Sequence, residues 1–570
     1  MTTDSRLQRK AWLIDLSAAF LLTGFYYRTI LFHCGDHLLD TTDQKAMLYV
    51  LEWLHHSFFG DGTIAGVFDL NMLHPHRNVL AWSEAMLGAV PIYSLVRGLS
   101  GNPVLGLNIT AFAAVFASCV GLARLGRLLT GRSALIAALI GGIGLAVASQ
   151  EVHFQLKAIA FVVWLVFVLC RLVLEPRPRY TAAFIALFAW LFLFCAYYAI
   201  MFIVVAVSLY AGALVLDRHA TLAWSKRVLQ TFQSPWMMGT VAVAALPCFW
   251  LAVHYRAVQA DLGDYSTSVF IPYAARITSF IDAHESSLLF KTRHFDWGAH
   301  EARLFYGLTV YVLLVMLAST RSGEREPKAI VKLLAFGALL SCVLALGPYE
   351  RYALAAGYVV PLPALIYAKF FPGFGALRSI GRFGVFAVVM IAPLTELSVR
   401  RLFDRVNVRH SQAAYAALFL LVAVEQTTVQ KAQPIDLHAR RAFYEQVRTH
   451  TTDASVILEL PAAGADHSAT MRLWDDQMIG STMHWRRFPV GRSSHDSREA
   501  WDLAEAYRAA VASPAGTLLL VNKAGAIGVT DIVIDATQAP ADLIDRLKTE
   551  LPALGYELVE LKGGVLFQKK

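Results

Sequence analysis

Long runs of apolar residues broken by short polar stretches dominate the first three quarters of the chain. They recur near residues 12–32, 104–123, 134–148, 158–174, 181–195, 198–216, 236–254, 304–319, 329–346, 383–398 and 412–428. A helix needs about 20 such residues to cross ~30 Å of hydrocarbon, so the pattern predicts about eleven transmembrane helices. After residue 430 the period changes. "SVILELP" and "TLLLVNK" read as buried strands and "TDIVIDA" alternates, while "APADLIDRLKTELPALG" has helical spacing and "YELVELKGGVLFQK" again reads as strand. The expected fold is a membrane all-α multi-span bundle over residues 1–430, followed by a soluble α/β domain over 431–570.

Composition agrees with the pattern. Of 570 residues 56% are hydrophobic and 16% charged, and the mean hydropathy is +0.50, which is more apolar surface than a soluble chain of this length needs. Charge placement then orients the spans. With Arg6, Arg9 and Lys10 cytoplasmic, the inner connections carry Arg124/Arg127/Arg132, Arg171/Arg177/Arg179, Arg218/Lys226/Arg227, Arg321/Arg325/Lys328/Lys332 and Arg400/Arg401/Arg405/Arg409. This reading requires residues 84–100 to be a re-entrant or surface-lying helix. It places the N-terminus in the cytoplasm and the C-terminal domain on the periplasmic or extracytoplasmic side. The net charge of +8 consists mostly of these anchors, so nucleic acid is not an expected partner. The first apolar run is too long for a cleavable signal peptide and is expected to stay as an anchor. The six cysteines form no CxxC pair, and "NKAGAIG" lacks the spacing of a phosphate-binding loop.

Chemistry concentrates in three outer blocks, 33–103, 255–303 and 347–382. The first opens with "HCGDHLLDTTDQKAMLYVLEW". If residues 35–50 are helical, Asp36, Asp40 and Asp43 share one face. Like charges about 6 Å apart repel by roughly 0.7 kcal/mol in water and about 3 kcal/mol at an effective dielectric near 20. Such a cluster is kept by solvation, by a bound cation or by a shared proton. His74 and His76, with His55 and His56 upstream, could join Asp40 and Asp43 around a divalent cation; no helical metal-ligand spacing is present, so the metal stays unknown, and substrate-lining or packing roles are the alternative. "SQEVHFQLK", with Glu151, His153 and Gln155, is either the lining of a substrate cavity or a polar interfacial turn. Tyr197 and Tyr198 read as interfacial aromatics. Trp82, Trp485 and His484 could stack on a flat-faced ligand such as a sugar ring, though no spacing singles one out.

The layout of a first span, an acid-bearing outer loop, paired spans with further outer loops and a terminal α/β domain resembles the GT-C superfamily of integral-membrane glycosyltransferases. Within it, several pieces are similar to a bacterial group of polytopic proteins: Asp40-Thr-Thr-Asp43 followed by "LYVLEW" with Glu52, "HPHRNVLAWSEAMLG", "FPGFGALRSIGRFG", "LELP" and "MHWRRFPVGRSS". These pieces touch both ends of the chain. The group's Gly-Asp falls here at Asp36 while Asp40 follows Leu39, and its later acid is Glu84, so the counterpart of the first acid is either Asp36 or Asp40. The nine-residue spacing to Glu52 fixes Asp43.

The resemblance implies transfer of a sugar from a polyprenyl-phosphate donor to a glycan, lipid or protein acceptor on the outer face. An acceptor hydroxyl must lose its proton as it attacks the anomeric carbon, which assigns a carboxylate as general base: Asp43 first, Asp40 second. The departing lipid phosphate calls for Arg378, Arg382 or Arg351, whose alternative is a lipid-headgroup anchor. Asp36, Glu52, His74, His76, Glu84 and His153 are the expected substrate-lining residues. A lipid-linked glycan flippase or transporter would instead show ionisable residues in mid-span and internal repeats. An envelope assembly partner would have no use for the clustered acids.

Overall fold

The computed structural model describes residues 3–290, 302–320, 326–355, 357–404, 408–495 and 497–570. Residues 291–301 of the second outer block, and Arg321, Arg325 and Arg405 of the expected inner connections, lie outside the described residues. The chain divides into two compact units, one of residues 1–33, 109–250 and 262–432, the other of residues 34–108, 251–261 and 433–570.

Each of the eleven apolar segments overlaps helix, although 12–32 is helical only to Tyr26 and 134–148 is broken at Gly144. Among the described residues six helices are long and apolar enough to cross a membrane: Pro103–Thr130, Phe154–Leu174, Ala196–Leu216, Trp236–Leu262, Lys328–Ala345 and Ile380–Phe403. Trp12–Tyr26, Leu135–Ala148, Pro178–Phe194 and Leu308–Ser319 are shorter apolar helices, and the segment 412–428 falls largely in Val408–Gln426. Val243, Leu246 and Phe249 are each more than two-thirds exposed. Three large apolar side chains left bare along one helix suit lipid and not water.

The first unit is organised around helix Phe383–Phe403, buried throughout its apolar stretch. Its Glu396 accepts hydrogen bonds from the backbone N–H groups of Ile136 and Ala137, at 3.1 and 3.2 Å, and from the Tyr415 hydroxyl at 3.0 Å. The carboxylate thereby satisfies first-turn donors of helix Leu135–Ile143 that have no partner inside their own helix. Asp15 is likewise engaged, with Arg127 at 2.5 Å and Ser133 at 2.7 Å.

In the second unit, residues 84–100 form no span. Helix Val90–Ser100 has 11 residues, about 16 Å at 1.5 Å per residue, roughly half the hydrocarbon thickness. Ile92, Leu95 and Leu99 are exposed while Val90, Tyr93 and Ser94 are buried, the amphipathic arrangement of a surface-lying helix. The C-terminal sheet runs Ile457–Leu460, Asp531–Asp535, Gly564–Lys569, Tyr556–Leu561 in spatial order, the first pair parallel and the others antiparallel. Phe443, Tyr444, Val447, Ile457, Val533 and Leu566 form a core against it.

One expectation for the tail is corrected. "TLLLVNK" is helical, inside Pro514–Ala526: Pro514 opens the helix and the Ser513 side chain accepts from the Gly516 N–H, a start signal that overrides the β-like run of leucines. "TDIVIDA" forms the expected strand, Asp531–Asp535, and all of it is buried.

The first outer block and the tail are joined by backbone pairing inside this unit. Leu73 and His74 donate to the Val490 and Phe488 carbonyls at 3.3 and 3.0 Å, and Phe488 donates to Asn71 at 2.8 Å. The Asn71 side chain adds a bond to the Arg486 carbonyl at 2.9 Å. Leu73, Asn78, Met86 and Trp485, all in this unit, adopt left-handed φ of 50–57°. Each costs on the order of 1–2 kcal/mol for a residue other than glycine.

Candidate functional site

The opening acids do not share a helix face. The helix begins only at Asp43 and runs to Phe59; Asp36 and Asp40 precede it. Asp40 closes a turn ahead of the helix, accepting from the Thr42 and Gln44 N–H groups at 3.0 and 3.3 Å and from the Thr42 hydroxyl at 2.8 Å. Local hydrogen bonding of this kind competes with helix and wins at its start. Asp36 is exposed, its carboxylate 2.7 Å from His37 Nδ1.

Asp43, in the first helical turn, forms an ion pair with Arg492 through Oδ1. Arg492 also reaches Asp475 at 3.2 Å, and Lys45 pairs with Asp476 at 2.6 Å. Helix Asp43–Phe59 packs here on helix His467–Ser481, so three carboxylates meet one guanidinium and one ammonium. The Asp475 side chain is fully buried, and its Oδ1 has no hydrogen-bond partner among the described residues. Burial pushes its carboxyl up to about 8; Lys45 opposes the shift, and Asp476 and Asp40 add to it. Burial also pulls the Arg492 guanidinium down, with Asp40 opposing.

The expected lining residues separate. Glu52 is buried, accepting from the Tyr93 hydroxyl at 2.6 Å and from Arg97 Nε and Nη2 at 2.8 and 3.2 Å. It ties two helices together where a substrate-lining role was expected. His76 Nε2 lies 2.9 Å from Glu499, beside Trp82. His74 is held through its backbone, and burial first, then Arg487, keeps its imidazole below the usual range. Glu84 is half-buried between the short helices Val79–Trp82 and Leu87–Ala89. No ligand group among the described residues gathers His55, His56, His74 or His76 with Asp40 and Asp43.

In the first unit two of the three arginines, Arg351 and Arg378, meet the stretch Tyr273–Ala274. Arg351 donates to the Ala274 carbonyl at 3.0 Å, and Arg378 lies over the Tyr273 ring at 5.0 Å. Buried Arg382 lies over the Tyr197 ring at 5.0 Å. A Cβ at Gly381 would stand 2.8 Å from the Tyr273 carbonyl, so the glycine of "RSIGR" lets the two backbones meet and sets Arg378 and Arg382 on either side of the contact. His153 is half-buried. Its neighbour Glu151 is buried, bonded to the Tyr26 hydroxyl and to Lys157. Lys157 and Gln150, together with Ser118 and Tyr198, line a small cavity.

No protein-family model and no curated protein sequence matches the chain. Solved structures do. The archaeal oligosaccharyltransferase AglB from Archaeoglobus fulgidus, in complex with an inhibitory peptide and a dolichol-phosphate, aligns over 99% of this chain and 74% of its own at 11% identity, with a TM-score of 0.50. The arabinofuranosyltransferase AftD from Mycobacteria aligns over 98% of this chain and 40% of its own at 13% identity, with a TM-score of 0.51. The chain has the GT-C fold. At these identities the likeness is one of fold, and the GT-C architecture is what the chain shares with both enzymes.

Sequence reasoning passed over Arg492, Asp475, Asp476 and Lys45. The signal was present for one of them: Arg492 lies inside "MHWRRFPVGRSS", and Asp43 inside the first matching piece. Their ion pair is where two pieces of the resemblance meet. "LELP" is structural: Glu459 accepts from the Tyr444 hydroxyl at 3.0 Å and pairs with Arg440, which also holds Asp535 at 2.8 Å.

Proposed function

We propose that the protein is a multi-pass inner-membrane glycosyltransferase that moves a sugar from a polyprenyl-phosphate donor to a glycan, lipid or protein acceptor on the outer face. Residues 1–430 form the membrane portion and 431–570 an extracytoplasmic α/β domain, with the N-terminus cytoplasmic. The observation that carries the reading is the fixed carboxylate of Asp43, at the head of a helix and oriented by Arg492. The GT-C fold supports it, and so does the dolichol-phosphate bound in AglB.

In this reaction the acceptor hydroxyl attacks the anomeric carbon and passes its proton to Asp43 as the new C–O bond forms. The bond between that carbon and the phosphate oxygen breaks, and the electron pair leaves with the lipid phosphate. Arg378 and Arg382, with Arg351, meet the added negative charge; a guanidinium suits this because its N–H fork matches phosphate oxygens. Asp40 supports Asp43 by holding the start of its helix. The transporter reading loses ground because Glu396, Asp15 and Glu425, buried acids of the apolar segments, are committed to a helix terminus, an arginine and the Thr309 N–H.

The test is transfer from polyprenyl-phosphate sugars by the purified full chain and its Asp43→Asn and Asp40→Asn variants. Asp43→Asn is expected to lose about 100-fold or more in rate and Asp40→Asn less. Undiminished transfer in both overturns the assignment.

A further inference from the structure

Of the three residues considered for sugar stacking, Trp82 and His484 are buried, and Trp485 alone is half-buried. Trp485 stacks on the His56 ring at 4.3 Å and 9° between planes, and meets Trp53 edge-on at 5.7 Å. Both supporting rings belong to helix Asp43–Phe59 and are themselves half-buried. They are also fixed: Trp53 Nε1 donates to the Val67 carbonyl at 2.8 Å. A Cβ at Gly62 would stand 3.0 Å from His56 Cδ2, so the loop closes against the imidazole. Burial lowers the His56 pKa, which leaves a neutral ring behind the indole at neutral pH.

The backbone adds an independent sign. Trp485 follows helix His467–Ser481, donates its N–H to the Ser481 carbonyl at 2.7 Å and has φ 57°. It stands three residues beyond the C-cap Thr482, in the left-handed region that glycine enters without a Cβ penalty. The chain carries its largest side chain there against a conformational penalty, which points to use of the indole itself.

We propose that Trp485, backed by His56 and Trp53, is a stacking platform for a sugar ring of a glycan acceptor. A broad apolar face with polar groups at its margin is what a pyranose or furanose ring requires, since its C–H face packs on an aromatic while its hydroxyls seek hydrogen bonds. Asp61 and Arg448, both exposed, lie close enough to act electrostatically on His56 and supply that margin. Position selects the acceptor. Trp53 lies ten residues beyond Asp43 on the same helix, about 15 Å along its axis. With Asp43 as the base, a ring on Trp485 belongs to a remote sugar of an extended glycan and not to the sugar being transferred. Remote contacts of this kind supply binding energy that positions the reacting hydroxyl.

The inference rests on the transferase reading, and its test separates the two. The purified full chain is applied to an array of immobilised oligosaccharides of hexoses, pentoses and N-acetylhexosamines. The parent is expected to retain at least one of them. Trp485→Gly is expected to bind that oligosaccharide at least tenfold more weakly while melting no lower than the parent, because glycine suits the backbone. Trp485→Phe, which keeps a ring, is expected to stay within about threefold. Retention of no oligosaccharide, or equal binding by Trp485→Gly, overturns the platform, as does a lowered melting temperature for Trp485→Gly with binding intact. Asp43→Asn is expected to bind as the parent does, so its transfer assay judges the reaction separately. In that assay Trp485→Gly is expected to raise KM for the acceptor alone. A raised KM for the polyprenyl-phosphate donor instead overturns the acceptor assignment.

Discussion

The two units treat their candidate charges in opposite ways. In the unit that holds the acids, carboxylates are matched to cations and N–H donors at short range: Asp43 with Arg492, Asp476 with Lys45, Glu52 with Arg97, Asp40 with two backbone amides. In the other, Arg378 and Arg382 lie over tyrosine rings and Arg351 donates to a carbonyl. The difference has a chemical reading. A carboxylate pinned by a guanidinium has one orientation, which is what proton acceptance from a single direction needs. A guanidinium over an aromatic face keeps its charge without an opposite charge to neutralise it, as Arg378 does over Tyr273.

Removing the pinned carboxylate breaks this contrast most sharply. Asp43→Asn is expected to cost about 100-fold or more in transfer while leaving donor KM little changed. A guanidinium on a ring has a different signature: Arg378→Ala is expected to lose about 10- to 100-fold in kcat/KM, since a hydrogen bond to a charged group is worth about 1.5–3 kcal/mol. Arg378→Lys keeps the charge and loses the fork, and is expected to fall between alanine and the parent. If Arg378 is only a headgroup anchor, donor kinetics stay unchanged in both variants and the contrast collapses to one of packing.

Glu52 tests whether every pinned acid is part of the chemistry. Its carboxylate is buried between Tyr93 and Arg97, so Glu52→Ala leaves a partly buried guanidinium without its partner. Thermal unfolding is expected to show a loss of about 3 kcal/mol. A substrate-lining residue behaves otherwise: Glu52→Gln would reduce transfer at an unchanged melting temperature. That outcome would return Glu52 to the site.

How far these roles were legible follows from range. Hydropathy located the helices because every membrane segment must satisfy its own backbone, and residues 84–100 were placed off the span list by charge alone. The helix that forms there, Val90–Ser100, is too short to span. Helix Asp43–Phe59 was legible from its apolar spacing, but its start was not, because the Asp40 turn depends on local hydrogen bonds that hydropathy does not weigh. "TLLLVNK" misled because three consecutive leucines resemble a buried strand, and the Ser-Pro start before them was not weighed. The partners of Asp43 lie more than 400 residues away, and no periodicity in a single chain points to them. Only the co-occurrence of "DTTD" and "MHWRRFPVGRSS" marked the two ends of that contact.

The smallest expected effect is also the finest test of the acid cluster. The Asp475 carboxyl stands near 8 in the folded protein, raised mainly by burial, against about 4 when unfolded. Between these values the folded state keeps a proton that the unfolded chain releases. Stability from this group is therefore complete below about pH 4 and declines as pH rises through 8. Asp475→Asn is uncharged throughout, so its melting temperature is expected to fall less than the parent's between pH 5 and pH 8.5, read by tryptophan fluorescence of the full chain. The variant also keeps a group that can accept from Arg492, so the Arg492–Asp43 pair should survive it. Transfer in Asp475→Asn is then expected within a few-fold of the parent at pH 7, where the parent's Asp475 is itself mostly protonated. If transfer collapses at pH 7 while the melting curve flattens as expected, an ionised Asp475 is required in the reaction, and the pinned acids act as a pair instead of through Asp43 alone.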